Sequence, residues 1–163
     1  MSPLLAHSGH KRVELLKEAI PRVSRVVVLT NPANPLSRAS LDTARQAAEK
    51  LAVKIEVVEA RSAADVESAL AQIKELHPDA VVIAPDTQLL SKRKEIADFM
   101  AEQRIPAIYP FREYASVGGL FIYGANLSVL FERAAEYLDK LLKGEKVSNL
   151  PVQQATAFRS GKI

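Results

Sequence analysis

"VVVLTNPANPLSRAS", Val26 to Ser40, is an apolar run that ends in a polar turn with two Asn-Pro pairs and continues into a helical pattern. Consecutive apolar residues of this kind are typical of a strand that is buried on both faces, as in a parallel sheet. Asn34-Pro35 predicts a helix start, with asparagine as the N-cap and proline at the first helical position. The stretch therefore predicts a strand, a loop and a helix in that order.

The same alternation of strand-like and helical patterns continues along the chain. Short runs rich in β-branched and aromatic residues predict four more strands, at Lys54–Ala60, Ala80–Pro85, Pro106–Phe111 and Leu120–Ala125. Apolar residues recur at helical spacing in the longer segments between and after these runs, and an opening helix is expected from about Lys11 to Ile20. Gly144 is a plausible end for the last helix.

This pattern predicts an α/β fold with a three-layer, doubly wound parallel sheet of flavodoxin-like strand order 2-1-3-4-5. The run Ala80–Pro85 has no polar face and should be the central strand. The link "REYASVGG", Arg112 to Gly119, has room for barely one helical turn. We expect residues 1–146 to form one α/β lobe with an N-terminal helix, and residues 147–163 to form an extended C-terminal arm or crossover segment.

Composition excludes several classes of protein. The chain has 163 residues, is 48% hydrophobic and 25% charged, and carries a net charge of +3 without a block of like charge, which argues against nucleic-acid binding. It has no cysteine, so disulfides and thiol catalysis are excluded, and its three histidines lack metal-ligand spacing. The N-terminus as written shows no signal peptide, and on that basis the chain would be cytoplasmic.

A ligand site is expected where the strand order reverses, because open α/β sheets bind ligands at the carboxyl ends of their strands at this point. For the order 2-1-3-4-5 this point lies between the first and third strands, and four loops should open on the same edge. The candidate ligand-binding residues on these loops are Thr30, Asn31, Asn34, Ser37, Asp86, Thr87, Tyr109, Phe111, Tyr123 and Asn126.

These residues suit a small zwitterion. The N–H groups near Leu36 and Ser37, at the start of the first helix after the strand, would hold a carboxylate, and Asp86 would meet an ammonium group. Tyr109 or Phe111 would lie against the solute. Both could instead be core residues, although Phe111 is expected at the mouth of the site because polar residues follow it at once. The alternative is that the asparagines, Ser37 and Asp86 are only turn and cap residues.

Enzyme signatures are absent from the sequence. No glycine-rich nucleotide motif follows the first strand, and no G-x-S-x-G elbow exists. Asp86 has the position of the phospho-acceptor in a receiver domain, but that chemistry needs acids after the first strand, where Thr30-Asn31-Pro32 stands. We therefore predict no catalytic residue, no metal and no cofactor.

Three segments resemble one known family. They are "KRVELLKEAIPRVSRVVVLTNPANPLS", the run from "AVVIAPDTQ" to "IYGANL", and "FERAAEYLDKLLKGEKVSNLPVQQATAF". They are similar to ABC transporter substrate-binding proteins of the tryptophan/tyrosine-binding type, which are type I periplasmic solute-binding proteins with two α/β lobes. The resemblance implies that this chain is a fragment covering one lobe, since a first lobe precedes the "KR-ELL" segment in family members and a further strand and helix follow "ATAF".

What the resemblance implies for function is the binding of a small organic solute, such as an amino acid, and its delivery to a membrane permease. Family members work in the periplasm or anchored to the membrane. The surface left by a missing lobe would favour a homo-oligomer. Two other functions stay open: a ligand-sensing lobe of a transcriptional regulator or receptor, and an enzyme on a flavodoxin-like fold.

Overall fold

The computed structural model describes residues 3–119, 121–124 and 143–144. The strands are β1 (Arg25–Thr30), β2 (Lys54–Glu59), β3 (Ala80–Ile83), β4 (Ala107–Tyr109) and β5 (Phe121–Ile122). The helices are α1 (Pro3–Ala19), α2 (Pro35–Lys50), α3 (Val66–Leu76), α4 (Thr87–Ser91) and α5 (Arg93–Glu102). Short 3-10 helices lie at Ala63–Asp65 and Arg112–Val117.

All five strands form one parallel sheet in the order β2-β1-β3-β4-β5, as predicted. Val26 of β1 pairs with Ile55 of β2 on one side and with Ala80 of β3 on the other. β3 lies at the centre of the sheet and all four of its residues are buried, which confirms the prediction made from its lack of a polar face. β4 and β5 are shorter than their apolar runs suggested.

The two faces of the sheet carry separate apolar layers, because successive residues of a strand point to opposite sides. Val26 and Val28 pack with α1 and α2, while Val27 and Leu29 pack with α3 and α5. The predicted apolar stripe of α3 is fully buried. The result is a three-layer α/β fold, with helices on both faces of the sheet.

The opening helix begins at Pro3, eight residues before the predicted start at Lys11. The expectation was wrong because serine and glycine are not typical of a helix interior, yet Ser8 and Gly9 are both helical and buried. A Cβ atom at Gly9 would lie 2.0 Å from the carbonyl oxygen of Ser40, so only glycine lets α1 and α2 approach so closely.

The connection between β4 and β5 is the 3-10 helix Arg112–Val117, whose six residues make about two turns where barely one was expected. The predicted last helix and the C-terminal arm lie outside the described residues, although Gly144 has the left-handed φ of 92° expected of a helix stop. Among the described helices, none is long and apolar enough to cross a membrane.

Asp79 joins the starts of β1 and β3 at the amino-terminal edge of the sheet. Its Oδ2 accepts hydrogen bonds from Ser24 N at 3.0 Å, Ser24 Oγ at 3.1 Å and Arg25 N at 2.9 Å. Hydrogen bonds from the Ser24 and Arg25 N–H groups favour the charged carboxylate and lower the pKa of Asp79 below its usual value.

Asp79→Ala should therefore lower the free energy of unfolding by about 1 kcal/mol near neutral pH, a modest value because the side chain is exposed. A lowered folded-state pKa means that the stabilisation is complete above the unfolded-state pKa of about 4 and is lost as the pH falls through the folded-state value. Urea unfolding of both proteins at several pH values measures this difference. A difference that stays constant down to pH 2 would contradict the assignment.

Candidate functional site

The carboxyl ends of β1, β3, β4 and β5 meet at one edge of the sheet, because neighbouring strands are parallel. The strand order reverses between β1 and β3, since β2 lies on the outer side of β1. The loop after β1 and the loop after β3 therefore face each other at this edge, as in other open α/β sheets that bind ligands there.

Asp86 links these two loops. Its Oδ2 accepts hydrogen bonds from Asn31 Nδ2 at 3.0 Å and Asn34 Nδ2 at 2.8 Å, both from the loop after β1. Its Oδ1 accepts from Leu89 N at 2.9 Å and so caps the N-terminus of α4. The carboxylate is a helix cap and also the point where the two loops are joined.

This carboxylate is buried without a counter-charge from the described residues. Asp86 is only 3% exposed, and none of the ion pairs between described side chains includes it. Three neutral N–H groups satisfy it instead. A carboxylate can accept more than three hydrogen bonds, so capacity is left for a further donor.

The loop after β1 is held by its own polar side chains. Asn31 Oδ1 accepts from Ala33 N at 3.0 Å, and Asn34 Oδ1 accepts from Leu36 N at 2.9 Å, which confirms Asn34 as the N-cap of α2. The Leu36 N–H was expected to be open to a carboxylate. That expectation is wrong, because the side chain of Asn34 already accepts its hydrogen bond.

Thr30 and Ser37 lie beneath this loop and are both buried. Their hydroxyl groups are 2.9 Å apart and hydrogen-bonded, and Ser37 Oγ also accepts from Asn31 N at 3.0 Å. The two residues support the loop from inside the lobe. Asn31 is almost fully buried, Asn34 is half-buried, and Thr87, at the first position of α4, is exposed.

The aromatic residues after β4 face the interior. Tyr109 and Phe111 belong to the apolar layer that contains α3 and α5, so the expectation that Phe111 lies at the mouth is wrong. The polar residues that follow Phe111 start a 3-10 helix, which packs mainly against α5. In that helix Tyr114 stacks on Tyr109 with ring centroids 4.7 Å apart, and burial raises the pKa of Tyr109 to about 12.

The end of β5 is fixed by a buried arginine. Arg12 of α1 donates from Nε to the carbonyl oxygen of Tyr123 at 2.8 Å and from Nη1 to Ser40 Oγ at 3.1 Å. Burial lowers the pKa of Arg12 to about 9. Gly124 packs so closely on Pro110 that a Cβ atom would lie 1.6 Å from the carbonyl oxygen of Pro110. These contacts hold Tyr123, which is half-buried, at the carboxyl edge.

The structure thus joins Asn31, Asn34 and Asp86 directly and places Thr30 and Ser37 underneath them. Tyr123 lies at the same edge of the sheet but away from these residues, because β5 is two strands away from β3. Asn126 lies outside the described residues.

Arg12 and Tyr114 were not predicted from the sequence. Arg12 lies between Gly9 and the apolar Val13. The only sign of its role in the sequence was a charged residue on the face of the first helix that is buried. In the described part of the chain no group of three or more His, Asp or Glu side chains could hold a metal ion.

Comparison with known proteins identifies the family. The family described as ABC transporter substrate binding protein matches residues 6–160. No curated protein sequence matches the chain.

Solved structures share the fold. A conserved domain protein from Vibrio cholerae is 24% identical with a TM-score of 0.79, and the match covers 98% of this chain and 52% of that one. An ABC domain from Streptococcus pneumonia in complex with L-Trp is 20% identical with a TM-score of 0.77, over 93% and 52% of the two chains. A LacI-family transcriptional regulator from Rhizobium etli is 16% identical with a TM-score of 0.62, over 89% and 57%.

The chain spans about half the length of these solved structures. At such identities the likeness establishes the fold, which is that of one lobe of a type I periplasmic binding protein. The match of the family over nearly the whole chain goes further. The protein belongs to the ABC transporter substrate-binding protein family, a family of solute-binding proteins rather than enzymes.

Proposed function

We propose that this chain is the solute-binding lobe of an ABC transporter substrate-binding protein, and that its solute is an amino acid or a similar zwitterion delivered to a membrane permease. The observation that carries the proposal is the buried carboxylate of Asp86, which two side-chain amides hold at the point where the strand order reverses. An ammonium group would supply the counter-charge that the described residues do not. The family match and the L-Trp bound to the Streptococcus pneumonia structure support this class of solute.

The site residues predicted from the sequence take different parts in this proposal. Asp86, Asn31 and Asn34 form the polar wall that meets the ammonium group. Thr30 and Ser37 keep this loop in place through the hydrogen bond between their hydroxyl groups and the one that Ser37 Oγ accepts from Asn31 N. Thr87, Tyr123 and Asn126 are proposed to line the remainder of the cleft. Tyr109 and Phe111 back the site from the interior.

Capture in a two-lobed protein comes from closure of the lobes on the solute. One lobe supplies part of the contacts, so we expect this chain to bind with a dissociation constant in the millimolar range, near −4 kcal/mol. We propose that the family's usual place, the periplasm or the outer face of the membrane, is where the complete protein works.

The second candidate is a ligand-sensing lobe of a regulator, because the LacI-family structure has the same fold. The family match favours transport. Genes for a permease next to this one would support transport, whereas a fused DNA-binding module would support the regulator.

Asp86→Asn should weaken binding of amine-bearing solutes about tenfold to a hundredfold, since leaving a buried polar partner unpaired costs about 1–3 kcal/mol. Asparagine is also a good N-cap, so the cap of α4 is kept while the charge is removed together with the Oδ2 acceptor of Asn31 and Asn34. Backbone amide NMR titrations of the 163-residue chain with L-tryptophan and tryptamine, which has the amine without the acid, measure the effect. 3-Indolepropionate, which has the acid without the amine, should bind the variant as it binds the wild type.

Asp79→Asn is the matched control, because it removes a carboxylate at the opposite edge of the sheet. It should leave all three affinities unchanged. Equal binding of L-tryptophan by the Asp86→Asn variant and the wild type would show that Asp86 is only a helix cap.

Self-association is a further proposal. When the 163 residues are studied alone, the carboxyl edge of the sheet, which the second lobe covers in a two-lobed binding protein, can pack against another copy. Sedimentation velocity at increasing concentration should show a dimer or a larger species. A single monomeric boundary at all concentrations would contradict this.

A further inference from the structure

Arg12 is the largest side chain that is fully buried in the described part of the chain. Burial lowers its pKa to about 9, so the guanidinium group is still charged at neutral pH. None of the ion pairs between described side chains includes Arg12, and its Nη2 atom has no hydrogen-bond partner. A buried charge without a carboxylate lowers the stability of a fold, so its presence here needs an explanation.

The guanidinium group of Arg12 joins two helices to the end of the last described strand. Its Nε donates to the carbonyl oxygen of Tyr123 at 2.8 Å, and its Nη1 donates to Ser40 Oγ of α2 at 3.1 Å. Gly9 lies on the same face of α1, three residues earlier, and lets the two helices approach each other at Ser40. The close packing of α1 on α2 therefore sets where the guanidinium group lies, and through it the position of the Tyr123 carbonyl.

The end of β5 has few other contacts to fix it. β5 has two residues, Phe121 and Ile122, and is the last of the described strands in the sheet, so only β4 pairs with it. Beyond Ile122, the Tyr123 N–H donates to the carbonyl oxygen of Tyr109 at 3.0 Å. Arg12 binds the carbonyl oxygen of the same residue. The backbone of Tyr123 is thus held by the sheet through its N–H and by α1 through its carbonyl group.

We propose that Arg12 is a positioning residue for solute binding, which holds Tyr123 at the carboxyl edge so that the ring of Tyr123 contacts the solute. This inference rests on the proposed function, in which Tyr123 lines the cleft beyond Asp86. The Tyr123 side chain is half-buried and packs against the apolar layer of α1 and α2, so a shift of its backbone moves the ring. Neighbouring strands lie about 4.8 Å apart, so β5 is about 10 Å from β3, a distance that L-tryptophan can span.

A role in packing alone would not require arginine at this position. Methionine would fill similar space without a buried charge, and apolar residues often replace buried ionic groups without loss of stability. Arginine differs because its planar, rigid group donates in two directions at once. Arg12 uses this property to join Ser40 of α2 to the carbonyl group that follows β5.

NMR titration of the 163-residue chain with L-tryptophan tests the inference, with isotope-labelled tyrosine and the Tyr123 ring signals assigned by Tyr123→Phe. Arg12→Met should shift these signals in the free protein and weaken binding about tenfold, because the ring is no longer held against the solute. Tyr123→Ala should weaken binding to a similar extent. Since Arg12 acts through Tyr123, the double variant should bind no more weakly than Tyr123→Ala alone.

Val13→Ala is the matched control, because Val13 is the buried neighbour of Arg12 in α1 and takes no part in its hydrogen bonds. It should lower the melting temperature by leaving a cavity, and leave the affinity and the Tyr123 signals unchanged. Ser40→Ala removes only the acceptor of Nη1 and should weaken binding by a smaller factor than Arg12→Met. It decides the test if Arg12→Met does not fold.

Unchanged affinity for L-tryptophan in Arg12→Met, or in Ser40→Ala where the first variant does not fold, would overturn the inference and leave the proposed function standing. Wild-type affinity in Tyr123→Ala would do the same, as would a further loss in the double variant or an equal loss in Val13→Ala. Failure of the wild type to bind L-tryptophan would refute the proposed function as well as this inference.

Discussion

The hydrogen bonds that Asp86 accepts are the contacts on which the carboxyl edge of this lobe depends. One oxygen takes both side-chain amides of the loop after β1, and the other takes the first turn of α4. A single buried carboxylate therefore fixes the position of two loops that belong to different strands. This link between the loops lies where the strand order reverses, which is where open α/β sheets bind their ligands.

The two Asn-Pro pairs make sense in this arrangement. Pro32 and Pro35 restrict the backbone on either side of Ala33 and Asn34, so the loop loses less conformational freedom when it folds. The asparagine side chains then divide their two functional groups. Each amide oxygen satisfies a backbone N–H of the loop, and each amide nitrogen donates to Asp86. Both residues are thus turn residues that also join the Asp86 carboxylate, so a role in the turn does not exclude the role in solute binding that we propose for them.

Much of the fold could be predicted from local pattern. The apolar run of β3 has no polar face, and only a central strand of a parallel sheet meets that description. Asn34-Pro35 stands directly before a helical pattern, where the pair predicts a helix start. The true start of α1 could not be predicted, because Gly9 is in the helix to allow close packing with Ser40, and that need exists only in the folded lobe.

The arrangement of side chains at the candidate site was harder to predict from the sequence than the fold. Strand ends placed Asn31 and Asp86 near each other, but whether a hydroxyl faces the solute or the interior depends on how the loop turns, and Ser37 turns inward. Phe111 was expected at the mouth because polar residues follow it, yet those residues form a 3-10 helix that packs against α5, and Phe111 is buried. Arg12 is buried, and the carbonyl group that it binds lies 111 positions away in the sequence. No local sequence pattern predicts such a contact.

The most direct test of Asp86 as the joint between the two loops is a double-mutant cycle on stability. Asn31→Ala, Asp86→Ala and the double variant would be unfolded in urea and compared with the wild type. Residues in one hydrogen-bond network do not contribute independently, so the account predicts a coupling free energy of about 1 kcal/mol or more. Additive effects, within about 0.3–0.5 kcal/mol, would show that the two side chains do not interact and would contradict it.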